Sequence, residues 1–564
     1  MKLKSLICFS LLLISSASGI SAYDFKVDGI CYNVITTDDG EKAAEVTSDD
    51  TGYYSGEVVI PETVEYTGQV LTVVRVGAGA FKAALHPLPV DDGTGDGDSG
   101  KDGQEGHDLI SVKLPNTVTE IGVSAFENCT GLTSVYFGEG LRDLGAMAFH
   151  GCESLQDVAL PPSVRQIGMM AFEGCTSLSR VNLPEGLVTI GSDAFSGCTS
   201  LASISIPSTV QKLESSAFLG CTSLAAVTIL TPECGNWFKG NSYIKEVTLG
   251  ESVERIVDAA FENCRNLAAF TVTDNLVFMG KQALSGTAWL ASQPAGPVYL
   301  GRVLYQCKGE LPEESSLEVR DGTQFICANA FEGCSNLQDI MIPSSVDSIG
   351  EDTFKGCTSL ESVMLPDNIT TLPTDMFRNC TSLKEVHLPE ALARIERGVF
   401  QNCSSLKAMT LQEPLVSIGS HVFADCKSLT SIVLPATVKE IDQMVFYQAE
   451  QLSLVVSFIQ DPCSVHRSVF GMTKKGNGAT LYIPTGTKDA YIAAGWDKGF
   501  SQIVEKDRDE LETGIHSPSL NSKHSSLNCY DLSGRRLSVP STSSVGSVLP
   551  KGVYIENGKK RVRN

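Results

Sequence analysis

The sequence has 564 residues, with 66 acidic against 43 basic side chains and a net charge of −23. That balance excludes a nucleic-acid partner, which demands a basic surface. A hydrophobic content of 42% with only 19% charged residues excludes wholesale disorder, and 18 cysteines are too few for a small disulfide scaffold.

Residues 1–22 read as a signal peptide. Lys2 and Lys4 form a basic start, Leu6 to Ile14 is a short apolar run, and Ala17-Ser18-Gly19 and Ser21-Ala22 supply small residues for cleavage. The run is too short to span the ~30 Å of a bilayer, and no later stretch reaches 18 apolar residues. An exported chain without a membrane-spanning segment is expected. Residues 23–80 form an N-terminal strand-rich cap that opens on YDFKVDGICYNV.

From residue 81 to 506 the chain repeats. Phe recurs every 23 residues at 126, 149, 172, 195 and 218, and again at 331, 354, 377, 400, 423 and 446. A fixed period of this length marks a solenoid. One unit, from Val188, is VTIGSDAFSGCTSLASISIPSTV. Phe195, Cys198 and Leu201 are three apart, so a short helical turn points all three inward. The period then drops to two: Ile204 and Ile206 face in, Ser203 and Ser205 face out. Pro207 ends that strand because it has no N–H for a ladder. Val210 and Leu213 mark a second short extended segment, and Gly191 is expected to turn the chain without steric cost. No unit can bury its apolar face alone, so the units stack and their strands form a parallel sheet. The expected fold is therefore mainly β, a solenoid of about sixteen units spanning roughly 75 Å at ~4.8 Å per rung, with short helical turns between strands.

Two segments interrupt the period. Residues 86–108 hold DDGTGDGDSGKDG, whose Asp91, Asp92, Asp96, Asp98 and Asp102 fit no EF-hand spacing and read as a solvated acidic loop. Residues 285–327 are a diverged unit. Beyond the array, 507–528 reads as a polar, Ser-rich linker. Residues 529–564 read as a small β tail in which two strand patterns flank a Ser/Gly-rich loop.

The unit I-G-x-x-A-F-x-x-C-x-x-L-x-x-V-x-L-P resembles the leucine-rich repeats of BspA-like bacterial surface proteins, over nearly all of residues 23–506. The strand-rich opening, the interruption TAWLASQPAGPVYLGRVLYQCKGELP and the closing ATLYIPTGTKDAYIAAGWDKGFSQIVE are similar to that family as well. The resemblance implies adhesion to host matrix proteins or to other cells, with a structural spacer as the alternative. The tail segments YDLSGRR and LPKGVYIENGKK are similar to signals for type IX secretion, or they form a plain capping hairpin.

Chemistry is sparse. Eleven cysteines occupy the F-x-x-C slot, at 129, 152, 175, 198, 221, 264, 334, 357, 380, 403 and 426. On stacked rungs their side chains point the same way, which suits buried free thiols better than disulfides. No CxxC or clustered Cys/His spacing, no G-x-S-x-G turn and no GKS/T loop occurs, so no metal, cofactor or catalytic residue is assigned. The sequons at Asn128, Asn379 and Asn402 arise from the repeat itself and are discounted. The remaining candidate is the outward face of the strands, used by solenoids to bind proteins. Tyr136, Arg180, Asn182, Glu246, Glu385 and His387 are its expected ligand-binding residues.

Overall fold

The computed structural model describes residues 23–49, 54–82, 109–470 and 479–515, with the backbones of four strands between 529 and 563. Residues 1–22, expected as a signal peptide, and the acidic insertion 86–108 lie outside the described residues. The rest is a mainly β, parallel-sheet solenoid of about 17 turns. It divides into two compact units: Met1–Thr231 with Asn236–Thr248 and Cys264–Ala269, and Pro232–Gly235 with Leu249–Asn263 and Phe270–Asn564.

In the first unit Phe25–Val27, Ile30–Thr36 and Lys42–Thr47 form an antiparallel meander, and Gln69–Val76 then joins Lys42–Thr47 in parallel. The same sheet continues through Glu120–Ile121, Asp143–Leu144, Gln166–Ile167, Thr189–Ile190 and Lys212–Leu213, all parallel. These two-residue strands are the second extended segment of each repeat. Only one of their residues, such as Ile167 or Ile190, is buried. The longer strand of each repeat stands on another side of the turn. Ser203–Ile206 alternates exposed and buried, and Pro207 follows its last residue.

The Phe corner joins these sides without a regular helix. Cys198 N–H donates to the Phe195 carbonyl at 3.2 Å, and Leu201 N–H to the Cys198 carbonyl at 3.1 Å. The corner is also laddered to the next rung: Ser124, Phe126 and Asn128 donate N–H to the carbonyls of Ala146, Ala148 and His150 at 2.7–2.9 Å. The pattern accounts for the burial of so much polar backbone, since every side of a turn finds its partners in the adjoining turns. Inside, the Phe rings form a column. Centroids of Phe126, Phe149, Phe172 and Phe195 are 4.9–5.3 Å apart, with planes within 5° of parallel. In the second unit the column runs from Phe331 to Phe470 at 5.4–5.6 Å.

One expectation about the repeat changes. Gly191 does not supply a left-handed turn; a Cβ there would stand 2.7 Å from Met169 N and 2.8 Å from Gly168 C on the preceding rung. Glycine permits close backbone approach at that place. The left-handed residues of this turn are instead Asp193, at φ 56, and Gly197, at φ +72, just before Cys198. Asn128, Asn379 and Asn402 hold the equivalent place at φ 63, 65 and 59. Asn tolerates this conformation better than most residues, which explains the sequons physically.

In the second unit the diverged segment builds a short helix, Ala288–Ser292, and an antiparallel hairpin, Gly296–Leu300 with Val303–Lys308. Tyr305 is buried there and its hydroxyl accepts the N–H of Leu284 at 2.9 Å. The array ends at Thr480–Pro484, Lys488–Ala493 and Gln502–Lys506, where Phe500 and Trp496 close on Phe470. The first part of the expected linker differs: Arg508–Ile515 is a helix, because Leu511 finds an apolar seat on Val433 and Val456. The tail 529–563 is an antiparallel sheet in the order Arg536–Leu537, Cys529–Asp531, Gly552–Glu556, Lys559–Arg563.

Candidate functional site

The long strand of each turn presents two out-facing positions, and parallel pairing aligns them into columns. In the first unit Lys113 pairs with Tyr136, Asp157 with Arg180, Ala159 with Asn182, and Ser203 and Ser205 with Ala226 and Thr228. Tyr136 is 62% exposed, and Arg180, Asn182 and Glu246 are exposed as well. In the second unit Asp339, Ser362 and Glu385 form one column and Met341, Met364 and His387 the other. Glu385 and His387 are exposed. All six residues chosen from the sequence thus stand on outward strand faces, four in one unit and two in the other. Between them lie small side chains such as Ala159, Ser203 and Ser205, which leave the sheet open to contact.

The last rungs depart from this pattern. Val433 and Val456 occupy out-facing positions yet are only 2% and 1% exposed, covered by Leu511 of the helix Arg508–Ile515. The signal was present in the sequence: Ile432-Val433-Leu434 and Leu454-Val455-Val456 are apolar runs that do not alternate, as befits strands covered on both faces. Beside this helix lies a cavity of about 450 Å³ lined by Thr410, Gln412, Glu413, Phe458, Lys506 and Arg508. Lys506 sits with its ammonium 4.9 Å from the centre of the Tyr482 ring. Sequence reasoning read the helix segment as linker and so missed the cavity beside it.

The thiols are placed for packing. The Sγ–H of Cys152, Cys175, Cys198, Cys380 and Cys403 donates to the carbonyl of the Phe 26 residues earlier, at 3.0–3.2 Å. Burial pushes the thiols of Cys175 and Cys426 up to about 12 and that of Cys264 up to about 11, while Cys152, Cys198, Cys380 and Cys403 stand well above the ordinary value. These groups cannot serve as thiolate nucleophiles near neutrality. Among the described residues no three His, Cys, Asp or Glu side chains converge on a metal-sized site. No described helix is long and apolar enough to cross a membrane.

The raised thiol values predict alkaline unfolding. In the unfolded chain these cysteines ionise near ~8.5, whereas in the fold they remain neutral to about 11–12. Their contribution is complete below the unfolded value and is lost as pH rises through that window, at about 1.4 kcal/mol per pH unit for each thiol. Circular dichroism under reducing conditions should show the β signal intact at pH 8 and lost above roughly pH 10. A signal unchanged to pH 11 would mean the thiols are not sealed in the core.

A family model described as BspA type leucine rich repeat region matches in six copies, over residues 104–225, 234–292 and 324–453. Among solved structures, a leucine-rich repeat protein from Bacteroides ovatus is 26% identical, with 77% of this chain and 94% of that one covered and a TM-score of 0.33. A leucine rich cell surface protein from Faecalibacterium prausnitzii is 23% identical over 78% and 96%, with a TM-score of 0.27. The pneumococcal vaccine antigen PcpA is 18% identical over 86% and 98%, with a TM-score of 0.29. No curated protein matches the chain.

Proposed function

The chain belongs to the BspA-type leucine-rich repeat family, and we propose that it is an exported, non-enzymatic binding protein that holds a protein ligand on its outward strand face. The ligand is a protein of the host matrix or of a partner cell. One observation carries this reading: the out-facing positions vary freely in charge and size while the core-facing ones do not. Out-facing neighbours run Tyr136, Asp157, Arg180, Asn182, Ser203 and Glu246, against a core of Val, Ile, Leu, Phe and Cys at the same places in each turn. Side chains freed from packing are those that recognition can use. The leader-like residues 1–22 support export, and the tail segments YDLSGRR and LPKGVYIENGKK support delivery to the surface by type IX secretion.

The test is a pull-down of the mature chain against extracellular matrix proteins, followed by alanine substitution of the captured pair's contacts. Arg180→Ala with Asn182→Ala should lower affinity by about 1–2 kcal/mol if that rung is a hot spot. Stability should stay within about 0.5 kcal/mol, since both side chains are exposed. A scan of all out-facing positions beside a scan of Asp91 to Asp102 decides the face. Loss of binding only from the acidic segment would remove the strand face from the reading, and no ligand at all would favour a spacer.

A further inference from the structure

Each regular slot cysteine relies on the preceding turn for the carbonyl that accepts its thiol hydrogen bond. Cys357 donates to Phe331 at 3.1 Å and Cys380 to Phe354 at 3.0 Å. The residue 26 places before Cys334 is Lys308, so the diverged unit puts the end of the strand Val303–Lys308 where the regular turns have Phe. The fold supplies Cys307 instead. Its N–H donates to the Ala330 carbonyl at 2.6 Å, one residue before the Phe331 turn whose carbonyl receives the Cys334 N–H at 3.0 Å. The two thiols lie side by side, each the polar side-chain partner of the other. Both are half-buried, packed against one apolar cluster, whereas Cys357, Cys380, Cys403 and Cys426 are fully buried. Because Cys307 comes from a strand and not from the slot, it escapes the parallel arrangement that keeps slot cysteines from bridging.

We propose that Cys307 and Cys334 are a redox site, forming a reversible disulfide that ties the diverged unit to the turn of Phe331. The oxidant is an external disulfide, either a small one or that of a thiol–disulfide oxidoreductase. The Cys307 thiolate attacks one sulfur of that disulfide and expels one external thiolate. Cys334 then gives up its proton and attacks the Cys307 sulfur, expelling the second. Two protein thiols and one external disulfide become one protein disulfide and two external thiols, and the protein's two protons end on the expelled thiolates. The order follows from the pairing: the neighbouring Cys334 thiol holds that of Cys307 below its ordinary value, while the same pairing and burial raise that of Cys334. A bridge across 27 residues restricts the unfolded chain and should make the segment between the two cysteines harder to cleave.

The full chain incubated at pH 8 with oxidised glutathione, then alkylated in denaturant with iodoacetamide and digested, tests this. The expected product is one dominant linked peptide pair joining Cys307 to Cys334, with Cys175 and Cys403 alkylated. Cys334→Ser should trap glutathione on Cys307. After reduction of the parent, protease cleavage between Lys308 and Glu314 should accelerate about tenfold. Alkylation of both Cys307 and Cys334 after oxidation, or their pairing with other cysteines, would overturn the proposal. The parent's peptide map decides even if the variant fails to fold, and the result is independent of any ligand on the strand face.

Discussion

Phe195→Ala is expected to cost about 3–5 kcal/mol and to open the array first at the turns of Phe172, Phe195 and Phe218. The Phe195 side chain is fully buried, and its ring stacks 5.3 Å from Phe172 and 5.4 Å from Phe218. Removing it leaves a cavity whose lining cannot close, because both neighbouring rings are held by their own turns. Phe195 N–H donates to the Ala217 carbonyl at 2.8 Å, and its carbonyl accepts the Cys221 thiol at 3.1 Å. The substituted residue keeps those bonds only while the backbone stays in place, so loss of the ring loosens two further contacts. A solenoid turn touches only its neighbours, so the damage should spread along the stack by one turn in each direction and fade. Limited proteolysis with mapped fragments measures this directly. New cuts between residues 172 and 218 are expected, with the remaining turns protected as in the parent. A digestion pattern identical to the parent's would place this Phe outside the core.

The period of 23 was legible because it is written in large buried side chains. A Phe with a Cys three residues on and a Leu three further can only be a tight inward turn, and the structure seats Phe195, Cys198 and Leu201 there with no exposure. The alternation of Ser203 to Ile206 was legible for the same reason. What failed to show was anything decided between turns. The short strands such as Gln166–Ile167 were visible as extended segments, but their joining into one long sheet depends on the register of neighbours. The role of Gly191 was misread because sequence displays a missing Cβ without displaying what stands opposite it. The helix Arg508–Ile515 was hidden because a single Leu511 anchors it, on a seat made some 55 and 78 residues earlier by Val456 and Val433. The candidate face itself was legible, since outward positions follow from strand alternation. The cavity beside that helix was not, because it is made by segments distant in the chain.

Gly168→Ala should cost about 3 kcal/mol, at the upper end of overpacking effects, whereas Gly197→Asn should cost less than about 1 kcal/mol. Gly168 opens the corner of Phe172 and Gly197 closes that of Phe195, and the physics differs. A Cβ on Gly168 would stand 2.6 Å from Ala146 N and 2.6 Å from Gly145 C, both backbone atoms that cannot rotate away. Relief requires the rungs to separate, and their separation is fixed by bonds such as Gly168 N–H to the Leu144 carbonyl at 2.9 Å. At Gly197 the restriction is conformational. Its φ of +72 is left-handed, and a Cβ would meet only Gly174 Cα and N at 3.7 Å, an ordinary contact. Asn already fills the equivalent place at Asn128, Asn379 and Asn402. Urea melts of the two variants, read by the β signal, separate the cases. Gly168→Ala should shift the midpoint well below the parent, while Gly197→Asn stays near it. Equal shifts would mean that the close approach of successive rungs is not what demands glycine after the buried Ile.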